Sequence, residues 1–183
     1  THDLPFSAAW QVQQKKFNLE NWREEGYYSV GTAKDIPSTF FSDWQTGWVG
    51  GGMAAYALLA AGDELSKGRA ISNIDWMFNK AQLPSGLIYA VYDKGNEYDD
   101  SFLLDKGPGW YMVRKQADAL YFLCKAFGIL ARSDGNWVIP DHWAAGTRKL
   151  ADLFVRTFGK YGQIGQLIDR NTCLLYTSDA ADE

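Results

Sequence analysis

"SDWQTGWVGGGMAAYALLAAG" (Ser42–Gly62) sets three consecutive glycines at the head of an apolar, otherwise helical run. A glycine inside a helix costs up to about 1 kcal/mol relative to alanine. Two readings of Gly50, Gly51 and Gly52 are open. Missing side chains would let a ligand approach the first N–H groups of the helix, which have no intrahelical partner. Equally, they would let neighbouring elements crowd together. A phosphate loop is a poor reading, because "GWVGGGM" lacks the Lys-Ser/Thr ending that such a loop uses to reach phosphate and metal.

From this stretch outward, the pattern predicts a first helix over Trp48–Ala61, apolar on nearly every side and therefore buried all round, stopped by Gly62. A second helix, Leu65–Ala81, is amphipathic, with Ile71, Ile74, Phe78 and Ala81 on one face. "SGLIYAVYD" (Ser85–Asp93) reads as a short extended segment, followed by a long loop to Gly109. A third helix, Trp110–Ala131, is again apolar, and a fourth opens at Pro140 and Asp141, a helix-start signal. It places Trp143, Thr147, Leu150, Ala151, Phe154 and Phe158 on one side, and "YGQIGQLID" (Tyr161–Asp169) ends the pattern as a second extended piece. Residues 1–41 read as irregular, with one short helix.

Composition narrows the classes of function. The 183 residues are 46% hydrophobic and 15% aromatic, enough for one domain with a real core. A net charge of -4 without a basic cluster argues against nucleic acid as a partner, and no apolar run is long enough to span a bilayer. "CLLYTSDAADE" (Cys173–Glu183) differs from the rest; read back as codons it resembles read-through into a transposon sequencing adapter, as at the end of a truncated environmental gene. Cys124 then stands alone in an apolar helical pattern, as a small buried hydrophobe, and no disulfide, zinc or redox motif remains.

The halves repeat weakly. Gly47-Trp48 matches Gly109-Trp110 at an offset of 62, and the two extended segments match at an offset of 76, aligning Gly86 with Gly162 and Asp93 with Asp169. Wholly buried helices alternating with one-faced helices suit two concentric rings. The expected fold is therefore all-α: an incomplete (α/α) toroid over residues 42–172, with about two to three hairpins and short extended segments at its mouth.

"WQTGWVGGGMAAYALL", "AQLPSGLIYAVYD", "GWYMVRKQADALYFL" and "YGQIGQLIDRNT" together resemble the six-hairpin glycosidase superfamily over about Asp43–Thr172. The resemblance implies a barrel of six helical hairpins, with substrate at the end where the inner helices begin. It also implies hydrolysis of a glycosidic bond in an oligosaccharide or polysaccharide, with inversion and without a cofactor or metal. Long aromatic loops gather on that same face, where functional residues concentrate.

Glycoside hydrolysis needs two carboxyl groups, one protonated and one ionised, about 6.5–9.5 Å apart for inversion. Asp43, beside Trp44 and just before the first helix, and Asp93, at the end of an extended segment, are the expected pair. Because Asp169 repeats Asp93, a turn or cap role for Asp93 stays open. Glu97, Asp99, Asp100 and Asp105 are further mouth carboxylates, with "NEYDD" (Asn96–Asp100) read as a solvated loop. Trp44, Trp48, Tyr89, Trp110 and Tyr111 offer flat faces for pyranose rings, or core packing. Arg114 is an expected substrate contact anchored by Asp118 one turn on. His2 and His142 have no metal-ligand spacing and read as surface or capping residues, and Ser85 lacks a nucleophile-elbow context. Two alternatives to a hydrolase are carried: a polysaccharide lyase using Tyr89 or Tyr111 with Arg114, and a non-catalytic sugar-binding or scaffold module.

Overall fold

The computed structural model describes residues 5–30, 43–47, 49–101, 108–133, 137–170 and 175–176. Trp48, Asp105, His2 and Cys173 lie outside them. Helix α1 (Phe6–Lys16) widens into a π turn, Phe17–Asn21, and leads to the hairpin β1 (Trp22–Arg23) and β2 (Tyr27–Tyr28). Then come β3 (Trp44–Gln45), α2 (Ala54–Ala61), α3 (Glu64–Trp76), β4 (Val91–Asp93) and β5 (Asn96–Tyr98). The same order follows again as β6 (Trp110–Met112), α4 (Val113–Leu130), α5 (Asp141–Tyr161), β7 (Leu167–Asp169) and β8 (Leu175–Tyr176). Strand β8 falls within the stretch read as adapter-derived.

This mixed α/β arrangement overturns the expected all-α toroid. The strands form antiparallel sheets of two, three and three strands, ordered β1-β2, β3-β4-β5 and β6-β7-β8. Turn chemistry is the physical reason. Lys94 (φ 51) and Gly95 (φ 83) both sit at positive φ between Asp93 and Asn96, the two-residue turn that matches the twist of paired strands. Gly26 (φ 103) closes the first hairpin, with its N–H on the Arg23 carbonyl at 2.9 Å. What reads as isolated extended pieces is therefore half of each hairpin.

The repeat survives with a changed alignment. Trp44 pairs with Tyr92, and Tyr111 pairs with Ile168; the Thr46 N–H bonds the Ala90 carbonyl, and the Val113 N–H bonds the Gln166 carbonyl. Trp44 thus corresponds to Tyr111, not Trp48 to Trp110, while the alignment of the extended segments holds. Each βααββ unit wraps a buried aromatic: Trp44 and Tyr111 have no exposed surface. Helix α2 packs on both α3 and α4, and its Ala54, Ala55, Leu58 and Leu59 join Trp76, Met77, Leu123 and Trp143 in the main core.

The glycines owe their place to packing. Helix α2 begins only at Ala54, and Val49–Met53 is a kinked turn. A Cβ on Gly50 would fall 2.6 Å from the Trp44 ring, and one on Gly51 would fall 2.9 Å from the Thr46 Cα. Gly52 has a φ of 102°, a conformation that L side chains rarely adopt. The Gly50 carbonyl accepts the Trp44 indole N–H at 2.7 Å and the Asn73 amide at 3.2 Å. No room for a ligand is left there. Cys124, expected in the core, is exposed on α4.

Candidate functional site

Strands β3 and β4 bring Asp43 and Asp93 to one sheet edge. The Asp43 N–H reaches Asp93 Oδ1 at 3.4 Å, and the Lys94 N–H bonds Asp43 Oδ2 at 3.0 Å. Arg23 Nε stands 3.9 Å from Asp43 Oδ1, bringing the first hairpin to the same place. Asp93 is buried and Asp43 partly open. The two aspartates, 50 residues apart in sequence, are therefore neighbours in the fold.

Aromatic rings run from this edge into a groove. Tyr27 packs against Trp76 and Tyr92 at 4.7 and 5.6 Å between ring centres. Burial, and then the Asp43, Glu25 and Tyr92 groups around it, push the Tyr27 phenol well above its ordinary range. Beyond Trp76 lies a groove of about 510 Å³, bounded by the β1–β2 turn at Glu25 and Gly26, by α3, and by Trp137, Pro140 and Trp143. Trp137 and Trp143 lie 5.5 Å apart there.

Asp75 anchors the groove wall. Its Oδ1 accepts the Trp143 indole N–H at 2.8 Å and meets His142 Nε2 at 2.8 Å, while Oδ2 accepts the Asn79 amide at 2.8 Å. Burial raises its pKa, but the bonds from Trp143, His142 and Asn79, with the charge of His142, outweigh burial and hold it below the usual carboxylate value. His142 is thus a surface residue as expected, but one tied to a groove carboxylate.

Other expected contacts are placed differently. Trp44 and Tyr111 are core, with no face to offer a sugar. Tyr89 and Trp110 are half-buried. Burial and a bond to the Glu97 carboxylate raise the Tyr89 phenol. Arg114 pairs with Asp118 at 3.0 Å as expected, but on an exposed face. Asp99 and Asp100 are not a solvated run. Asp99 accepts the Ser101 and Gly109 N–H groups at 2.8 and 2.6 Å. Asp100 is fully buried, paired with Lys115 Nζ at 2.6 Å and bonded by the Met112 N–H at 2.7 Å.

No protein-family model, curated protein or solved structure matches the chain. Function therefore has to be argued from the site. Glu25, Asp75, Trp76, Trp137 and Trp143 come from three separate segments, so no local sequence pattern marks the whole groove they line. The one local signal is the Asp75-Trp76 dipeptide at the end of a one-faced helix. No helix among the described residues is long and apolar enough to cross a membrane.

Proposed function

We propose that the chain binds an oligosaccharide in the groove beside Trp137 and hydrolyses a glycosidic bond at the Asp43–Asp93 edge. The observation that carries this reading is the meeting of two aspartates, 50 residues apart in sequence, near a groove walled in part by the half-buried Trp137. The half-buried Trp137 offers an indole face to the C–H face of a sugar ring, and Glu25 and Lys80 at the groove wall supply polar partners for hydroxyls. At the edge, one carboxyl group delivers its proton to the leaving glycosidic oxygen. The other takes a proton from the attacking water. Asp43, the more open of the two, is assigned as the base that meets the attacking water, and the buried Asp93 as the acid.

Reducing-end release from a panel of oligosaccharides tests the assignment. Asp93→Asn should lower kcat by about 10²–10⁴-fold, the usual worth of acid–base help. Trp137→Ala should raise KM with kcat nearly unchanged. A wild-type chain that turns over no glycan, or an Asp93→Asn chain at full rate, would refute it.

A second reading, a sugar-binding module without turnover, is favoured by one feature. Each carboxylate also accepts a main-chain N–H across the strands, as a structural latch would. Binding of a glycan without product would select it. The lyase alternative is poorly supported, since Tyr111 is closed off and Arg114 is engaged by Asp118.

A further inference from the structure

A histidine and a carboxylate meet at the groove wall and take no part in the Asp43–Asp93 chemistry. His142 Nε2 stands 2.8 Å from Asp75 Oδ1, although 67 residues separate the two in sequence. Pro140 and Trp143, which flank His142 on the chain, line the groove together with Asp75, so the imidazole sits at its rim. Both side chains stay open to solvent, His142 by 50% and Asp75 by 45%.

The carboxylate is fixed independently of the imidazole. The Trp143 indole N–H bonds the same Oδ1 at 2.8 Å, and the Asn79 amide bonds Oδ2 at 2.8 Å. Asp75 is thus held both from α5 and from the turn that follows α3, and these bonds favour its ionised form. An ionised carboxylate only accepts, so a neutral His142 carries its proton on Nε2 and its lone pair on Nδ1. Among the described residues Nδ1 has no hydrogen-bond partner. A neutral imidazole bonded to a carboxylate through one nitrogen, with the other nitrogen open to water, is equipped as a general base.

Base chemistry selects the bond. A glycosidic bond needs an acid to protonate its leaving oxygen, and an imidazole base does not help it leave. An acyl ester instead offers a carbonyl carbon to a water that has lost its proton. We propose that His142, oriented by Asp75, removes O-acyl groups from a sugar seated against Trp137. Nδ1 takes a proton from a water molecule whose oxygen bonds to the acyl carbon. The ester bond to the sugar oxygen then breaks, and that oxygen takes the proton from the imidazolium. A carboxylic acid and a free hydroxyl group leave. Asp75 is a positioning residue, which fixes the ring and offsets the charge the ring gains. The choice of a sugar as the alcohol rests on the proposed function; the dyad does not.

Acetate and reducing ends, measured in the same digests of O-acetylated cello- and xylo-oligosaccharides, test the inference. The wild-type chain should release acetate. In His142→Gln the side-chain amide can still donate to Asp75, so the wall stays tied while the base is lost. Its kcat for acetate release should fall about 10²–10⁴-fold. Asp75→Asn should lower the same kcat about tenfold or more, with KM nearly unchanged. A wild-type chain that releases no acetate, or His142→Gln at full rate, would overturn the inference. So would a rise in KM alone in both variants, the mark of a purely structural tie. Acetate without reducing ends would refute glycosidic hydrolysis and leave the esterase standing, and reducing ends without acetate would do the reverse.

Discussion

The two βααββ units share a backbone and diverge at one edge. Where the first has Asp43 opposite Asp93, the second has Trp110 opposite Asp169. An aspartate at the end of the extended strand is thus common to both, as a feature of the architecture would be. The aspartate that faces it belongs to the first unit alone, and the aromatic groove nearby is built jointly by the first hairpin, by α3 of the first unit and by Trp137, Pro140 and Trp143 of the second. The comparison moves functional weight from Asp93, which has a counterpart, to Asp43, which has none.

The buried aromatics give the largest expected contrast between the units. Trp44 is fully enclosed and its indole N–H is satisfied by Gly50, so Trp44→Ala should cost about 3–5 kcal/mol in denaturant unfolding. Its counterpart Tyr111 is equally enclosed, but its hydroxyl has no hydrogen-bond partner among the described residues. Tyr111→Phe should therefore leave stability unchanged or raise it by about 1 kcal/mol. Equal losses at the two sites would break the correspondence.

A smaller contrast separates the paired glycines. Alanine at Gly162 meets only the penalty of positive φ, about 1–2 kcal/mol. Alanine at Gly86 adds a collision with the Lys149 backbone, so Gly86→Ala should lower Tm clearly further than Gly162→Ala. Similar shifts would mean that the two units do not abut as described.

The smallest effect is at the groove. The pKa of folded Asp75 is depressed, so its contribution is present above the ordinary carboxylate value, near pH 4, and is lost as pH falls through the folded value. The Tm difference between wild type and Asp75→Asn should be present at neutral pH and fade in acid. A difference that grows in acid would have the wrong sign. Solvent reaches this carboxylate, so the change should be modest.

How legible all this was in the sequence varied with the range of the interaction. The start of helix α5 is legible to the residue, because Pro140-Asp141 opens it, while its end at Gly162 (φ 71) falls inside the piece read as extended from Tyr161. The Asp93–Asp43 pairing was anticipated from position, and the alignment of Gly86 with Gly162 held. The matched Gly-Trp dipeptides misled, since the true correspondence of Trp44 and Tyr111 shows only in strand register. Asp100 looked solvated because its partner, Lys115, lies on another element. The hairpins were missable because Lys94 occupies a positive φ usually held by glycine or asparagine. The groove was beyond local reading: a turn, a helix end and a loop build it together.

The decisive measurement compares Asp43→Asn with Asp169→Asn in glycan turnover. Asparagine at position 43 keeps an acceptor for the Lys94 N–H, so the edge should remain folded while its base is lost. Turnover should fall by about 10²–10⁴-fold for Asp43→Asn and stay at the wild-type rate for Asp169→Asn. Full turnover in Asp43→Asn, or an equal loss in both variants, would contradict the assignment of chemistry to the first unit.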